Sequence, residues 1–362
     1  MHFTAPFCMM KVIVRAVCAG LDFFRKEVQS MKAMVIHEMF EYTYGQEGIS
    51  AIGTLCDLIA KPMSFDEART HPDLLAQVEA IFSGWGYRQM DASFLDLCPN
   101  LKIVFYAGGT IQRLVSDAFW ERGIRICSAW RANAIPVSEF ALSQILFTLK
   151  RGYYGIRRYL QDREIDPSFE LMTQTIPGAY ESTVGLVSLG AIGARVAELL
   201  KAFDVQVLAY DPYVSEERAN DLGVTLCPLE ELFARSNVVS LHAPWLPETE
   251  GMITGKLIAS MKPYAALINT SRGAVINEPE MIKVLTRRPD LQAMLDVTHP
   301  EPPAPESPLF TLQNVVLTPH IAGSFGHEVR RHARYMLEEC RRYQKGEPLL
   351  HEITREMAKH MA

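Results

Sequence analysis

Short apolar runs alternate with helix-length amphipathic stretches along the chain from Lys32 to Arg342. In the first third the runs are Ala33 to Ile36, Thr54 to Ile59, Ala80 to Phe82, Leu101 to Phe105 and Ile124 to Cys127. Each is too short for a helix and is bounded by polar or turn residues, so the series predicts a βαβ pattern and a parallel sheet. Apolar residues then recur at Phe140, Ala141, Ile145, Leu149, Tyr153, Ile156 and Leu160, close to helical period. That spacing, with Ser138 and Glu139 near the start, predicts one long amphipathic helix from Pro136 to Leu160, either an ordinary surface helix with one buried face or an interdomain helix that also packs on another subunit. A polar segment with Pro167, Pro177 and Gly178 separates this unit from a second alternating series beginning at Thr183. Its runs, Val184 to Val187, Val205 to Ala209, Asn237 to Leu241, Ala265 to Ile268, Leu291 to Leu295 and Val315 to Leu317, give about six strands, a Rossmann-like number. A helical pattern from Glu328 to Arg342 follows.

The fold class is therefore α/β, and 362 residues with 48% hydrophobic content suit two domains with full cores. A net charge of -6 and a pI near 6.0, with no block of Lys or Arg, predict neither a nucleic-acid nor a membrane partner. The expected partner is a small molecule. Seven cysteines lie scattered at 8, 18, 56, 98, 127, 227 and 340 without C-x-x-C or zinc spacing, so no metal site is expected and a reducing cytoplasm fits. Lys11 and Arg15 interrupt the apolar stretch near the start, and residues 1–30 read as an extension, neither signal peptide nor membrane span.

Candidate chemistry gathers at strand ends. Val184 to Gly193 ends a strand and opens the helix Ala194 to Ala202, and Asp211 ends the next strand, 211 − 190 = 21 residues after Gly190. Strand, glycine turn, helix and acid occur in the order of a dinucleotide fingerprint. Gly190 lets backbone approach a pyrophosphate, Gly193 lets helix and strand pack, and Asp211 accepts from ribose hydroxyls, which favours NAD over NADP. Ser188 stands where the first fingerprint glycine is usual, and a turn without glycine there is expected to keep a negative φ.

Arg272, Glu301 and His320 follow three successive buried runs and so share one sheet edge. An arginine fork suits a carboxylate beside a ketone, and a histidine held by a carboxylate suits proton transfer. The ordinary alternatives are a surface ion pair for Arg272, a structural histidine, and a solvated loop glutamate among prolines 300, 302, 303, 305 and 308. His242 ends a strand where it can line the cofactor cleft. Gly108 and Gly109 form a turn after the strand Leu101 to Phe105, where either backbone N–H groups can hold a substrate carboxylate or the turn simply needs positive φ. Arg113, Arg131 and Trp245 read first as surface or packing residues and second as pocket wall.

These residues resemble the D-isomer-specific 2-hydroxyacid dehydrogenases over nearly all of residues 32–345. The resemblance rests on the Gly190 to Gly193 turn with Asp211, Leu241-His-Ala-Pro244 with Glu248 and Thr249, Met261-Lys-Pro263 running into Ile268 to Ala274, Asp296-Val297 with Glu301-Pro302, and Thr318-Pro-His320. It implies a catalytic trio of Arg272, Glu301 and His320, and NAD contacts from Gly190, Ala191, Ile192, Gly193, Asp211, Pro244, Thr270, Ser271 and Asp296. Gly108, Gly109 and Arg272 would bind substrate, a small 2-oxo or 2-hydroxy acid. It also implies a Rossmann NAD-binding domain of residues 137–320 inserted into a flavodoxin-like substrate domain of 31–136 and 321–362, and a homodimer formed through the nucleotide domain. The aspartate that many members carry after the substrate-binding glycine is absent from Gly109-Thr-Ile-Gln112. Glu301 disfavours formate dehydrogenase, a relative that pairs its histidine with glutamine. An NAD-sensing, co-repressor-like binding protein without turnover is the alternative.

Overall fold

The computed structural model describes residues 30–86, 88–163, 173 and 175–361. Residues 1–29 of the expected extension, and the stretch around Pro167, lie outside them.

Among the described residues, twelve strands form two parallel sheets, one for each alternating series. The first sheet has β1 (Lys32–Val35), β2 (Asp57–Leu58), β3 (Ala80–Gly84), β4 (Ile103–Ala107) and β5 (Arg125–Ser128) in the order β2-β1-β3-β4-β5. This is the doubly wound order of flavodoxin-like sheets, with helices on both faces. β3 and β4 are buried at every position, as continuous apolar strands in a parallel sheet must be. The Thr54 to Ile59 run is strand only at Asp57 and Leu58, because Thr54 and Leu55 end the helix Gly45–Leu55. A short apolar run does not distinguish the two states by itself.

The second sheet contains β6 (Ser182–Val187), β7 (Val205–Tyr210), β8 (Thr225–Leu226), β9 (Val238–Leu241), β10 (Ala266–Asn269), β11 (Gln292–Leu295) and β12 (Val315–Leu317). Their order, β12-β11-β10-β9-β6-β7-β8, reverses direction between β6 and β9, the Rossmann switch point. The seventh strand, β8, is two residues long and too brief for periodicity to reveal.

The long helix expected over 136–160 is two helices, Trp130–Leu149 and Gly152–Asp162. The break is at Arg151, which takes φ +50 and buries its guanidinium between the rings of Tyr154 (4.1 Å) and Tyr264 (4.6 Å). Pro136 lies inside the first helix rather than opening it. That helix spans both units: Ala132 packs in the first core, whereas Ala141, Ile145 and Leu149 pack under the second sheet. Helix Val329–Lys345 returns to the first unit, where Ala333, Met336, Leu337 and Cys340 share a core with Val35, Phe82 and Phe105. The two units are thereby linked by one crossing helix and one returning helix.

Candidate active site

The glycine turn after β6 is tight for a definable reason. A Cβ on Gly193 would lie 2.0 Å from the Ser188 carbonyl oxygen, so no other residue lets the helix Ala191–Leu200 approach the strand so closely. That helix begins three residues earlier than the Ala194 start expected from the sequence, with Gly190 as its N-cap. A Cβ on Gly190 would meet no atom closer than the Ser188 hydroxyl at 4.0 Å, so its outer side is open, as a closely approaching ligand requires. Ser188 adopts φ +74, not the negative φ expected of a residue without glycine's freedom. Asp211 secures this conformation: its Oδ2 accepts from the Leu189 N–H at 2.8 Å and the Ser188 hydroxyl at 3.5 Å, while Oδ1 accepts from the Tyr213 N–H.

His242 leaves β9 beside this turn, and its Cδ2 is 3.5 Å from the Cβ position of Gly193. Burial lowers its pKa to about 4, and neither ring nitrogen has a partner among the described residues. The Thr270 hydroxyl at the end of β10 is likewise buried and unpartnered. Open glycine, helix N-terminus and orphaned polar atoms along one edge fit a dinucleotide.

The trio lies farther along the same edge. Asn269, the last residue of β10, accepts from the backbone and hydroxyl of Ser271 through Oδ1 and donates through Nδ2 to the Arg272 carbonyl at 3.0 Å. Its side chain thus shapes the loop that presents Arg272. Gly273 permits the next contact, since a Cβ there would overlap the Thr298 and His299 backbone at 2.0 to 2.5 Å. The loop of Arg272 therefore abuts the one leading to Glu301. The His320 Nδ1 and Glu301 Oε1 are 2.6 Å apart, both side chains partly exposed at 49% and 41%. Burial lowers the pKa of Arg272, the nearby Glu301 charge opposes that, and the charge of Arg113 adds to it. Arg113, on the loop after β4, thus faces Arg272 from the other sheet.

His320 has φ +54, and Asp296 holds its turn. The Asp296 carbonyl accepts from the His320 N–H, Oδ1 accepts from the Thr318 hydroxyl and the Ile321 N–H, and Oδ2 accepts from the Ala322 N–H. The Asp296 carboxylate is buried and both of its oxygens accept from the chain around His320, so the residue expected above as a cofactor contact fixes the histidine loop in this structure. Asn269 and Thr318 lay inside the quoted motifs without a role; only their fixed place beside Arg272 and His320 hinted at one.

On the first sheet, the Ser128 hydroxyl donates to the carbonyls of Gly108 and Gly109. Across a planar trans peptide the following N–H points the opposite way, so the amides turned from Ser128 are those of Gly109 and Thr110. A Cβ on Gly108 would strike the Tyr106 ring at 2.5 Å, whereas one on Gly109 meets nothing within 4 Å. Pro244 and Thr249 close a turn through the Pro244 carbonyl, Trp245 donates to Glu250, and Arg131 lies over Trp130. The described residues contain no group of three potential metal ligands, and no helix among them is long and apolar enough to cross a membrane.

An edge with a dinucleotide turn at one end and an arginine, glutamate and histidine at the other defines a nicotinamide-linked oxidoreductase architecture. Residues 143–322 match the family described as D-isomer specific 2-hydroxyacid dehydrogenase, NAD binding domain. A glyoxylate reductase of Korarchaeum cryptofilum is 35% identical over 272 residues, 75% of this chain and 81% of that protein. The chain belongs to the D-isomer specific 2-hydroxyacid dehydrogenase family. A D-3-phosphoglycerate dehydrogenase of Archaeoglobus fulgidus is 34% identical over 236 residues, 65% of this chain but 44% of that protein. The chain spans about half the length of the D-3-phosphoglycerate dehydrogenases it matches. The D-mandelate dehydrogenase structure from Rhodotorula graminis superposes with a TM-score of 0.76 at 24% identity, covering 90% of this chain and 98% of that one, and shares the fold. The relatives named here carry dehydrogenase or reductase names, which leaves the NAD-sensing alternative without support.

Proposed function

We propose that the protein is an NAD-dependent oxidoreductase that transfers hydride between NAD(H) and a small 2-oxo or 2-hydroxy acid, with D-stereospecificity as in its family. The observation that carries this reading is the 2.6 Å His320–Glu301 pair beside Arg272 on the edge that also bears the glycine turn. Gly190, Ala191, Ile192 and Gly193 hold the pyrophosphate, Asp211 the adenosine ribose, and Pro244, Thr270 and Ser271 line the remaining path. The bound cofactor supplies or accepts the hydride.

Arg272 binds the substrate carboxylate together with the outward amides of the Gly108–Gly109 turn, and its second N–H group polarises the ketone. Glu301 holds the proton on Nδ1 of His320, which leaves Nε2 to deliver a proton to the carbonyl oxygen as hydride reaches the carbon. In the reverse direction Nε2 removes the hydroxyl proton. The cytoplasm suits the free thiols of the five described cysteines. A homodimer is supported by helix Gly152–Asp162, which buries none of its residues and exposes Ile156, Tyr159 and Leu160.

The test is NADH oxidation across glyoxylate, hydroxypyruvate, pyruvate, and branched, aromatic and sugar-derived 2-oxo acids. Turnover of at least one substrate is expected, and His320→Ala should lower it by roughly 10²- to 10⁴-fold with NADH affinity nearly unchanged. NADH binding without turnover on any member, or full activity in the variant, overturns the reading.

A further inference from the structure

We propose that Cys56 and Cys340 form a redox pair that closes to a disulfide when the protein meets hydrogen peroxide. The two sulfurs lie 3.5 Å apart although 284 residues separate them in the chain. Cys56 caps the end of helix Gly45–Leu55, and Cys340 lies on helix Val329–Lys345. Bond formation needs the sulfurs to close from 3.5 Å to about 2.05 Å. Gln344, one turn beyond Cys340, donates its amide to the Leu55 carbonyl and to Cys56 Sγ. The Cys340 thiol and then the Gln344 amide hold the Cys56 pKa down against burial, which makes Cys56 the attacking sulfur. Cys127 belongs to the same core, but burial and then the neighbouring Glu339 carboxylate both push its thiol pKa up.

Cys56 is 3% exposed and Cys340 is fully buried, so a small uncharged oxidant is the fitting reagent. Cys56 thiolate attacks one peroxide oxygen, the O–O bond breaks, and one water leaves after proton uptake, giving the sulfenic acid. Cys340 sulfur then displaces the second oxygen as water. Overall, two thiols and one hydrogen peroxide become one disulfide and two waters. The product staples the helix that follows the His320 loop to the first unit.

The experiment treats the purified full chain with graded hydrogen peroxide and maps its peptides without reduction. A linked Cys56–Cys340 peptide, 2 Da lighter than the summed thiols, is expected, and Tm should rise by roughly 5 °C. Dithiothreitol should reverse both changes, and Cys56→Ser should abolish them. A Cys56 thiol that remains alkylatable, a Cys56 that proceeds unlinked to sulfinic acid, or a bond involving any other cysteine overturns the proposal. Peptide mapping of the unsubstituted protein decides this even if the variant folds poorly.

Discussion

Two loops on the edge of the second sheet solve the same backbone problem with opposite degrees of commitment. Each places a non-glycine residue in the left-handed region, Ser188 at φ +74 and His320 at φ +54, and each is held by an aspartate at the end of a neighbouring strand. Asp296 is buried, with both oxygens occupied by the chain around His320. Asp211 is only half-buried, and its bond to the Ser188 hydroxyl is long at 3.5 Å. Under the proposed function, the histidine loop is built in its working geometry, whereas the nucleotide loop keeps an acceptor that can exchange a protein partner for a ribose. Strain is tolerated at both because surrounding bonds over-determine it. Rigidity serves proton transfer, in which small displacements cost large factors, and adaptability serves a cofactor that must enter and leave.

Asp296→Asn is the strongest way to break this contrast. The amide supplies a donor where two backbone N–H groups need acceptors, at a cost of about 1–3 kcal/mol for the group left unpaired. The histidine shifts with its loop, so kcat/KM should fall about 10²-fold while the NADH Kd stays within about threefold. Steady-state kinetics beside fluorescence titration of NADH measure both. Loss of NADH affinity with unchanged turnover would instead make Asp296 a cofactor contact, and the two loops would no longer differ in kind.

Acid probes the same contrast without mutation. His37, His242 and His332 are buried with pKa values lowered to about 4, against an ordinary 6.5. Above pH 6.5 folded and unfolded chains both hold these rings neutral. As pH falls from 6.5 towards 4 the unfolded chain takes up protons that the folded chain refuses, so stability is lost across that window. At pH 5 the cost is about 2 kcal/mol for each fully buried ring. Tm should therefore be markedly lower at pH 5 than at pH 7. Of the three, His242 lies against the nucleotide turn, where a bound pyrophosphate favours the charged ring, so NADH should protect more at pH 5 than at pH 7. A Tm flat across this range would mean that the rings are not held neutral.

Which parts of this were readable beforehand follows from physical range. The parallel α/β class came through because buried parallel strands write themselves as continuous apolar runs, as in β3, β4 and β10. Arg272, Glu301 and His320 could be picked out as candidates because each lies on a loop that follows such a strand, where the fold leaves side chains at the edge. The break at Arg151 was not legible, because the apolar spacing continues in phase from Leu149 to Tyr153 and the cause is a guanidinium packed on Tyr264, over a hundred residues away. Nor was the conformation of Ser188, since the aspartate and the β7 carbonyl that fix it arrive only when β6 and β7 pair. The task of Asp296 was hidden for the same reason: its partners, Thr318, Ile321 and Ala322, meet it only when β12 pairs with β11.

Asp211→Asn tests the adaptable loop more gently. The side chain keeps one acceptor for the Leu189 N–H but loses its charge, so the NADH Kd should rise about tenfold with kcat nearly unchanged. Removing the negative charge should also narrow the preference for NADH over NADPH. If turnover collapsed while the Kd held, Asp211 would belong to the rigid class with Asp296.

Ser188→Gly gives the smallest effect and the finest discrimination. Glycine adopts φ +74 without the steric cost that a Cβ brings, a relief of about 1 kcal/mol after allowing for glycine's freer unfolded chain. The hydroxyl lost is bonded only at 3.5 Å, and the Ser188 N–H still donates to the Tyr210 carbonyl at 2.8 Å. A rise in Tm of a few degrees should accompany equal or tighter NADH binding. If Tm falls instead, the serine hydroxyl matters more to the turn than the strain does. Ser188 would then be fixed as firmly as His320, and the nucleotide loop would lose its claim to be the looser of the two.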